Sequence, residues 1–261
     1  MKDTTHITVV LDDSGSMDMI LNDTLGGYNT FVREQKKSAK PGDTFSLVTF
    51  KGYTHRNVNI STVEELTTKT YKPNGGTPLL DTLGNSILEL GQYLSSLNEE
   101  DRPAKVLFVI ITDGEENASR EYSKVEIKEK ITHQSDVYKW EFVYLGANQD
   151  AIKEGAKYGI SSLNSMSFGA NKHGLASTYD VLTRSVNNFK AASVGTSYAA
   201  SSGITAEDRT KMMGGEANVS SVFSGNPLDP NWTGTAVIPV TGTFTANVAS
   251  TAIPPKTVSK K

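Results

Sequence analysis

Along the chain, short dense apolar runs alternate with longer stretches in which apolar residues recur every three or four positions. "THITVVL" (5–11) is the first run and reads as a buried strand. Behind it, Ile20, Leu21, Leu25, Tyr28, Phe31 and Val32 fall on one side of a helix over 20–38. "PGD" at 41–43 marks a turn, "TFSLVTF" alternates as a strand, and a second short strand follows near "RNVNI". "GGTPLLDTLGNSILELGQYLSSL" opens as a Gly-rich loop. Pro78 suits the first turn of the next helix, whose periodic leucines run to Leu97. "AKVLFVIITDG" is the most apolar run and ends in a turn signal. "SKVEIKEKIT" predicts an amphipathic helix, "KWEFVYLGA" a strand, and "QDAIKEGAKYG" a helix stopped by a C-cap at Gly159. A short strand at Ser165–Phe168 and a helix over 173–191 complete the alternation.

Strands that alternate with helices of this length predict an α/β, doubly wound, mostly parallel sheet with helices on both faces, a Rossmann-like arrangement. The three most apolar strands, at 7–11, 105–111 and 140–145, belong at its centre. Ligands of such sheets bind outside the carboxyl ends of the strands, which is where Asp12 falls. Composition divides the chain into a body, 1–192, and a C-terminal extension, 193–261. The extension is rich in Ala, Ser, Gly and Thr and holds five basic and four acidic residues. It is expected either to be flexible or to dock on the body or a partner, with a β-hairpin near 235–250 and an aromatic anchor at Trp232.

The bulk numbers remove several functions. Net charge is −3, from 26 basic and 29 acidic residues, without the basic excess of a nucleic-acid binder. No apolar run approaches the roughly 18–20 residues of a membrane span. The first residues lack the features of a signal peptide, so a cytoplasmic protein is expected, or a virion component if the source is viral. The absence of cysteine removes disulfides, thiolate metal sites and cysteine nucleophiles.

The candidate chemistry begins at "LDDSGSM". Alone, Asp12, Ser14 and Ser16 are compatible with a turn, a helix cap, a phosphorylated aspartate or a metal site. Two further segments bear on the choice. "NGGTPLLDT" puts Thr77 in a Gly-rich loop before a helix, and "VIITDGEEN" puts Asp113 directly after a buried strand. If the two aspartate-bearing strands are neighbours, two carboxylates and three hydroxyls meet at one sheet edge. Like charges disfavour one another's ionisation, and a hard divalent cation, Mg2+ or Mn2+, removes that cost.

Over residues 4–190 the chain resembles the von Willebrand factor type A (vWA) family. The family's metal-ion-dependent adhesion site (MIDAS) has the pattern D-x-S-x-S, then Thr, then Asp. The matching positions are Asp12, Ser14 and Ser16 in "DDSGS", Thr77 in "GGTPL" and Asp113 in "TDG". With no disulfides and no secretion signal, intracellular, TerY-like members are the more similar. The resemblance implies a metal-dependent protein-interaction module whose cation takes a Glu or Asp carboxylate from a partner. It implies that the threonine loop shifts between weak and tight states, with Gly75 and Gly76 supplying freedom.

Rim contacts to a partner are expected from Asp18, Met19, Gly76, Glu115 and Glu116. Asp13 reads as a solvated turn residue, and Asp81 as a charge matched to a helix N-terminus. The four histidines are scattered and read as structural or exposed, and Trp140 reads as sheet packing. An enzyme is not expected. No Gly-Lys-Ser/Thr, G-x-G-x-x-G or G-x-S-x-G step occurs where it would be needed, and the position two after Asp12 is Ser14 rather than a carboxylate. The alternative reading is a structural or virion-type assembly protein, with the vWA body as scaffold and oligomers formed through the tail.

Overall fold

The computed structural model describes residues 2–215. β1 (Lys2–Leu11) is followed by a 3-10 turn (Gly15–Ile20) and α1 (Leu21–Lys37). β2 (Thr44–Thr49) and β3 (Gly52–Asn59) come next, then α2 (Leu79–Ser96), β4 (Pro103–Thr112), α3 (Lys124–Tyr138) and β5 (Glu141–Ala147). The order closes with α4 (Ala151–Lys157), β6 (Ser165–Phe168), α5 (Lys172–Ala191), α6 (Tyr198–Ser201) and α7 (Ala206–Met212). Each strand and helix predicted for 5–191 has its counterpart. The first helix starts within one residue of the position the periodicity suggests, directly after the 3-10 turn.

The six strands form one sheet in the order β3-β2-β1-β4-β5-β6. All neighbours are parallel except β2 and β3. Both faces are covered. Ile7, Val9, Leu11, Leu107, Val109 and Ile111 pack towards α1 and α5, while Val10, Phe108, Ile110, Phe142 and Tyr144 pack towards α2 and α3. Strands buried on both sides have no polar face to alternate with, which is why they read as unbroken apolar runs. Trp140 is buried and stacks on Phe108.

Chain order reverses between β1 and β4. The register pairs Leu11 with Ile111, so the two strands end level, and this switch point opens the crevice where such sheets hold ligands. Capping sharpens the helices: Ser123 and Glu126 form a capping box on α3, and Asn171 caps α5. Gly159 takes φ +80 just after α4, as expected of a helix stop.

Past residue 192 the described chain stays on the body. Tyr198 and Met212 are fully buried. Arg209 donates to the carbonyls of Ser165 (2.7 Å) at the start of β6 and of Leu163 (2.9 Å) in the turn before it, which ties α7 to the edge strand. The hairpin expected near 235–250 and Trp232 lie outside the described residues. Among those described, no helix is long and apolar enough to cross a membrane.

Candidate metal centre

Asp12 leaves β1 still hydrogen-bonded to the sheet, its N–H donating to the Ile111 carbonyl at 2.9 Å. The residue is fully buried. One carboxylate oxygen accepts the Ser14 N–H at 2.7 Å, and the other accepts the Thr112 hydroxyl at 2.6 Å. The Tyr71 hydroxyl donates to the Asp12 carbonyl. The backbone is therefore held by Ile111 and Tyr71, and the side chain by Ser14 and Thr112.

Ser14 sits at the N-cap position of the 3-10 turn but makes no side-chain cap bond. Its hydroxyl instead lies 3.1 Å from that of Ser16, and Ser16 donates to an Asp113 carboxylate oxygen at 2.6 Å. The capping role open to "DDSGS" in the sequence is not the one adopted. Thr77 is buried, with its N–H donating to the Asn117 side-chain oxygen (2.9 Å) and its carbonyl accepting the Asn117 N–H (3.2 Å). The threonine loop is tied to the first loop at two points: Asn74 N–H donates to the Asp13 carbonyl at 2.9 Å, and Gly15 N–H to the Gly75 carbonyl at 3.1 Å.

Gly114 reports how far these groups converge. A Cβ placed there would stand 3.2 Å from Thr77 Oγ1, 3.8 Å from Ser16 Oγ and 3.9 Å from Asp12 Oδ2. Oxygens from two loops thus meet at one point on a third, and the Ser16 bonds bring Ser14 and Asp113 to it. The side chains of Asp12, Ser14, Ser16, Thr77 and Asp113 are thus brought together.

The charge is uncompensated. Among the described residues neither Asp12 nor Asp113 is in an ion pair, since Lys51 is taken up by Asp13 at 3.0 Å. Burial raises the Asp113 carboxyl above its ordinary range, and the Asp12 charge adds to this, against the lowering by the Ser16 hydrogen bond. The described residues hold no group of three or more His, Cys, Asp or Glu side chains placed to share a metal ion. Two carboxylates with three hydroxyls make an all-oxygen donor set, which fits a hard divalent cation.

Several neighbours differ from their sequence reading. Asp13 is not a solvated turn residue: it is buried, accepts the Phe50 N–H at 3.0 Å and pairs with Lys51. Glu116, expected on the rim, accepts from Leu80 N–H (2.9 Å), Ala118 N–H (2.9 Å) and Ser119 N–H (2.7 Å), so it anchors the start of α2 to the 115–119 loop. Asp81 accepts the N–H groups of Arg120, Glu121 and Tyr122. Asp18, Gly76 and Glu115 are exposed, as is Met19 at 92%. Gly76 is needed for close approach, because a Cβ there would meet Asn117 Oδ1 at 2.9 Å.

Thr112, Tyr71, Lys51 and Asn117 were not singled out from the sequence. Of these, Thr112 alone left a trace, as the one polar residue ending an apolar run. A crevice of about 290 Å³ lined by Trp140, Glu141 and Asn164 lies at the amino end of β5, away from these ligands.

No protein-family model matches the chain, and a search of curated protein sequences finds no relative. Solved structures do share its fold. Proximal thread matrix protein 1 from the mussel byssus, in a structure described as having a zinc-occupied MIDAS motif, aligns with TM-score 0.50 and 15% identity over 69% of this chain. The pilus adhesin SpaC of Lactobacillus rhamnosus GG aligns with TM-score 0.50 and 11% identity over 71% of this chain. A von Willebrand factor type A protein from Catenulispora acidiphila aligns at 0.45 and 16% over 71%. The chain spans 47% of the mussel protein, 30% of the adhesin and 43% of the Catenulispora chain. The fold is the vWA fold.

Proposed function

We propose that this chain is a metal-dependent protein-interaction module that binds an acidic side chain of a partner through a divalent cation, Mg2+ or Mn2+. The observation that carries the reading is the convergence of Asp12, Ser16 and Thr77 oxygens about Gly114, with Ser14 and Asp113 linked to them. Asp12, Ser14, Ser16, Thr77 and Asp113 would hold the cation. Once bound, the cation supplies an electrophile that two carboxylates leave able to attract a third. The protein's part is positioning: Thr112 and the Ser14 N–H orient Asp12, and Asn117 holds Thr77.

A binding role is favoured over a phosphoaspartate enzyme by the state of Asp12. Its carboxylate is fully buried with both oxygens hydrogen-bonded, which suits an anchored ligand better than a nucleophile. That the mussel structure carries zinc in a motif of this name supports metal binding without selecting the metal. The intracellular, TerY-like assignment rests on the sequence resemblance, and localisation of the tagged full-length chain tests it.

The function is tested by isothermal titration with MgCl2 and MnCl2, together with pull-down in the presence and absence of EDTA. Wild type is expected to bind the cation and to capture a partner only when the cation is present. Asp12→Ala and Thr77→Ala are expected to lose both. Equal capture with and without EDTA would overturn the reading.

A further inference from the structure

The loop that carries Thr77 contains the chain's one Asn-Gly step, Asn74–Gly75. Both residues are exposed. Among the described residues the Asn74 carboxamide has no hydrogen-bond partner, and the Gly75 N–H has no acceptor. Gly75 adopts φ +81, which glycine alone takes without strain. Lacking a Cβ, it also leaves its nitrogen open to the neighbouring side chain. The backbone is pinned on either side of this step, by Asn74 N–H to the Asp13 carbonyl (2.9 Å) and by Gly15 N–H to the Gly75 carbonyl (3.1 Å).

We propose that Asn74–Gly75 is a spontaneous deamidation site whose conversion resets the loop that carries Thr77. The Gly75 nitrogen gives its proton to hydroxide and attacks the Asn74 side-chain carbonyl carbon. The new C–N bond closes a succinimide ring, while the carboxamide C–N bond breaks and its nitrogen leaves as ammonia after taking up a proton. Water then opens the ring. Cleavage at the side-chain carbonyl leaves aspartate, and cleavage at the main-chain carbonyl leaves isoaspartate. The net change is amide plus water to acid plus ammonia, with no redox partner.

Each product acts on the site differently. Aspartate adds a negative charge to a loop bonded to Asp13 and Gly15. Isoaspartate inserts a methylene into the main chain between the two pinned positions, so the Asp13 and Gly15 bonds cannot both keep their register. Thr77, three residues on, then loses its fixed placement. The chemistry stands apart from the proposed function, whereas its effect on cation binding rests on that reading.

The full-length protein is aged in mildly alkaline buffer at body temperature, as wild type and Asn74→Gln. Peptide mass spectrometry follows the amide-to-acid gain at every asparagine, and isoaspartyl methyltransferase labelling measures the isoaspartyl product. Asn74 is expected to convert ahead of exposed Asn98 and Asn117 and to give both products, while the Gln variant stays unconverted at that position. An intact Asn74, over a period in which a free peptide of residues 69–80 converts, would overturn the site. Titration with MgCl2 then compares fresh and aged wild type. An affinity loss of about tenfold or more in the isoaspartyl fraction is expected, as for displacement of groups that orient a metal ligand. Unchanged affinity overturns the effect on the loop. Fresh protein that binds no cation overturns the function proposed above and leaves the deamidation result standing.

Discussion

Thr112 decides whether the Asp12 carboxylate is aimed or merely present. Its hydroxyl donates at 2.6 Å to the Asp12 oxygen that faces the point beside Gly114, and it accepts the Gly114 N–H at 3.2 Å. Thr112→Val keeps the shape and removes the donor. Titration with MgCl2 should show about 10–100-fold weaker binding, the usual cost of losing a group that orients a ligand, with the urea unfolding midpoint moving far less. His6 lies midway along β1. It is fully buried between Thr44 (2.8 Å) and Thr8 (3.0 Å), and burial pushes its imidazole from 6.5 down to about 3. Between those values the unfolded chain holds a proton that the folded chain refuses, so stability should fall as pH drops from 6.5 towards 3. Urea titrations across that range should show the slope in wild type and a shallower one in His6→Asn.

At the scale of elements, the proposed ligand set is built from three loops held by carboxylates outside that set. Asp13 ties β1 to the Phe50 turn, Glu116 ties the 115–119 loop to the start of α2, and Asp81 ties α2 to residues 120–122. Burial alone would raise Asp81, but the three backbone N–H groups outweigh it and hold its carboxyl below the ordinary 3.8. Its contribution is therefore present above 3.8 and is lost as pH falls below that value. Asp81→Asn should cost about 1–3 kcal/mol at neutral pH. Thermal melts should also show the variant losing less stability than wild type in acid.

These clamps were not legible in the sequence, because their partners are backbone N–H groups some forty positions away and carry no side-chain signature. The convergence of the proposed ligands was legible for the opposite reason. Asp12 and Asp113 each terminate a run whose apolar density marks it as a central strand, and Thr77 follows the paired glycines of a loop. The reading of Asp13 as solvated failed because neighbouring acids in a turn look alike until one of them meets Lys51.

At the scale of the molecule, the short elements past residue 192 belong to the fold. Charge there is sparse, and α7 is a single charged helix of Ala206–Met212 with no apolar periodicity to show what it covers. Its work is done by side chains of unlike kinds. Arg209 occupies the carbonyl of Ser165, the first residue of the edge strand β6, and that of Leu163 in the turn before it. Met212 enters the core beside α5 and its carbonyl accepts the Gly169 N–H at 2.9 Å, while Asp208 pairs with Arg184 at 2.7 Å. Tyr198 packs on Phe189 and shares a 2.6 Å hydrogen bond with Ser185. Lys105, buried at the start of β4, donates to the carbonyls of Phe189 and Lys190 at the end of α5 and to that of Ala192 just after it. A chain ended at 192 gives up the burial of Tyr198 and Met212, about 1.5–3 kcal/mol each, and leaves β6 uncovered. For a domain of this size each kcal/mol moves the midpoint by about 2–4 °C. Calorimetry should therefore find the shortened chain melting on the order of 10 °C lower, or aggregating through the open strand. Arg209→Ala, which frees those two carbonyls and leaves the core filled, should show the aggregation with a smaller shift. A shortened chain that melts with the full-length protein would mean that the body is complete at 192 after all.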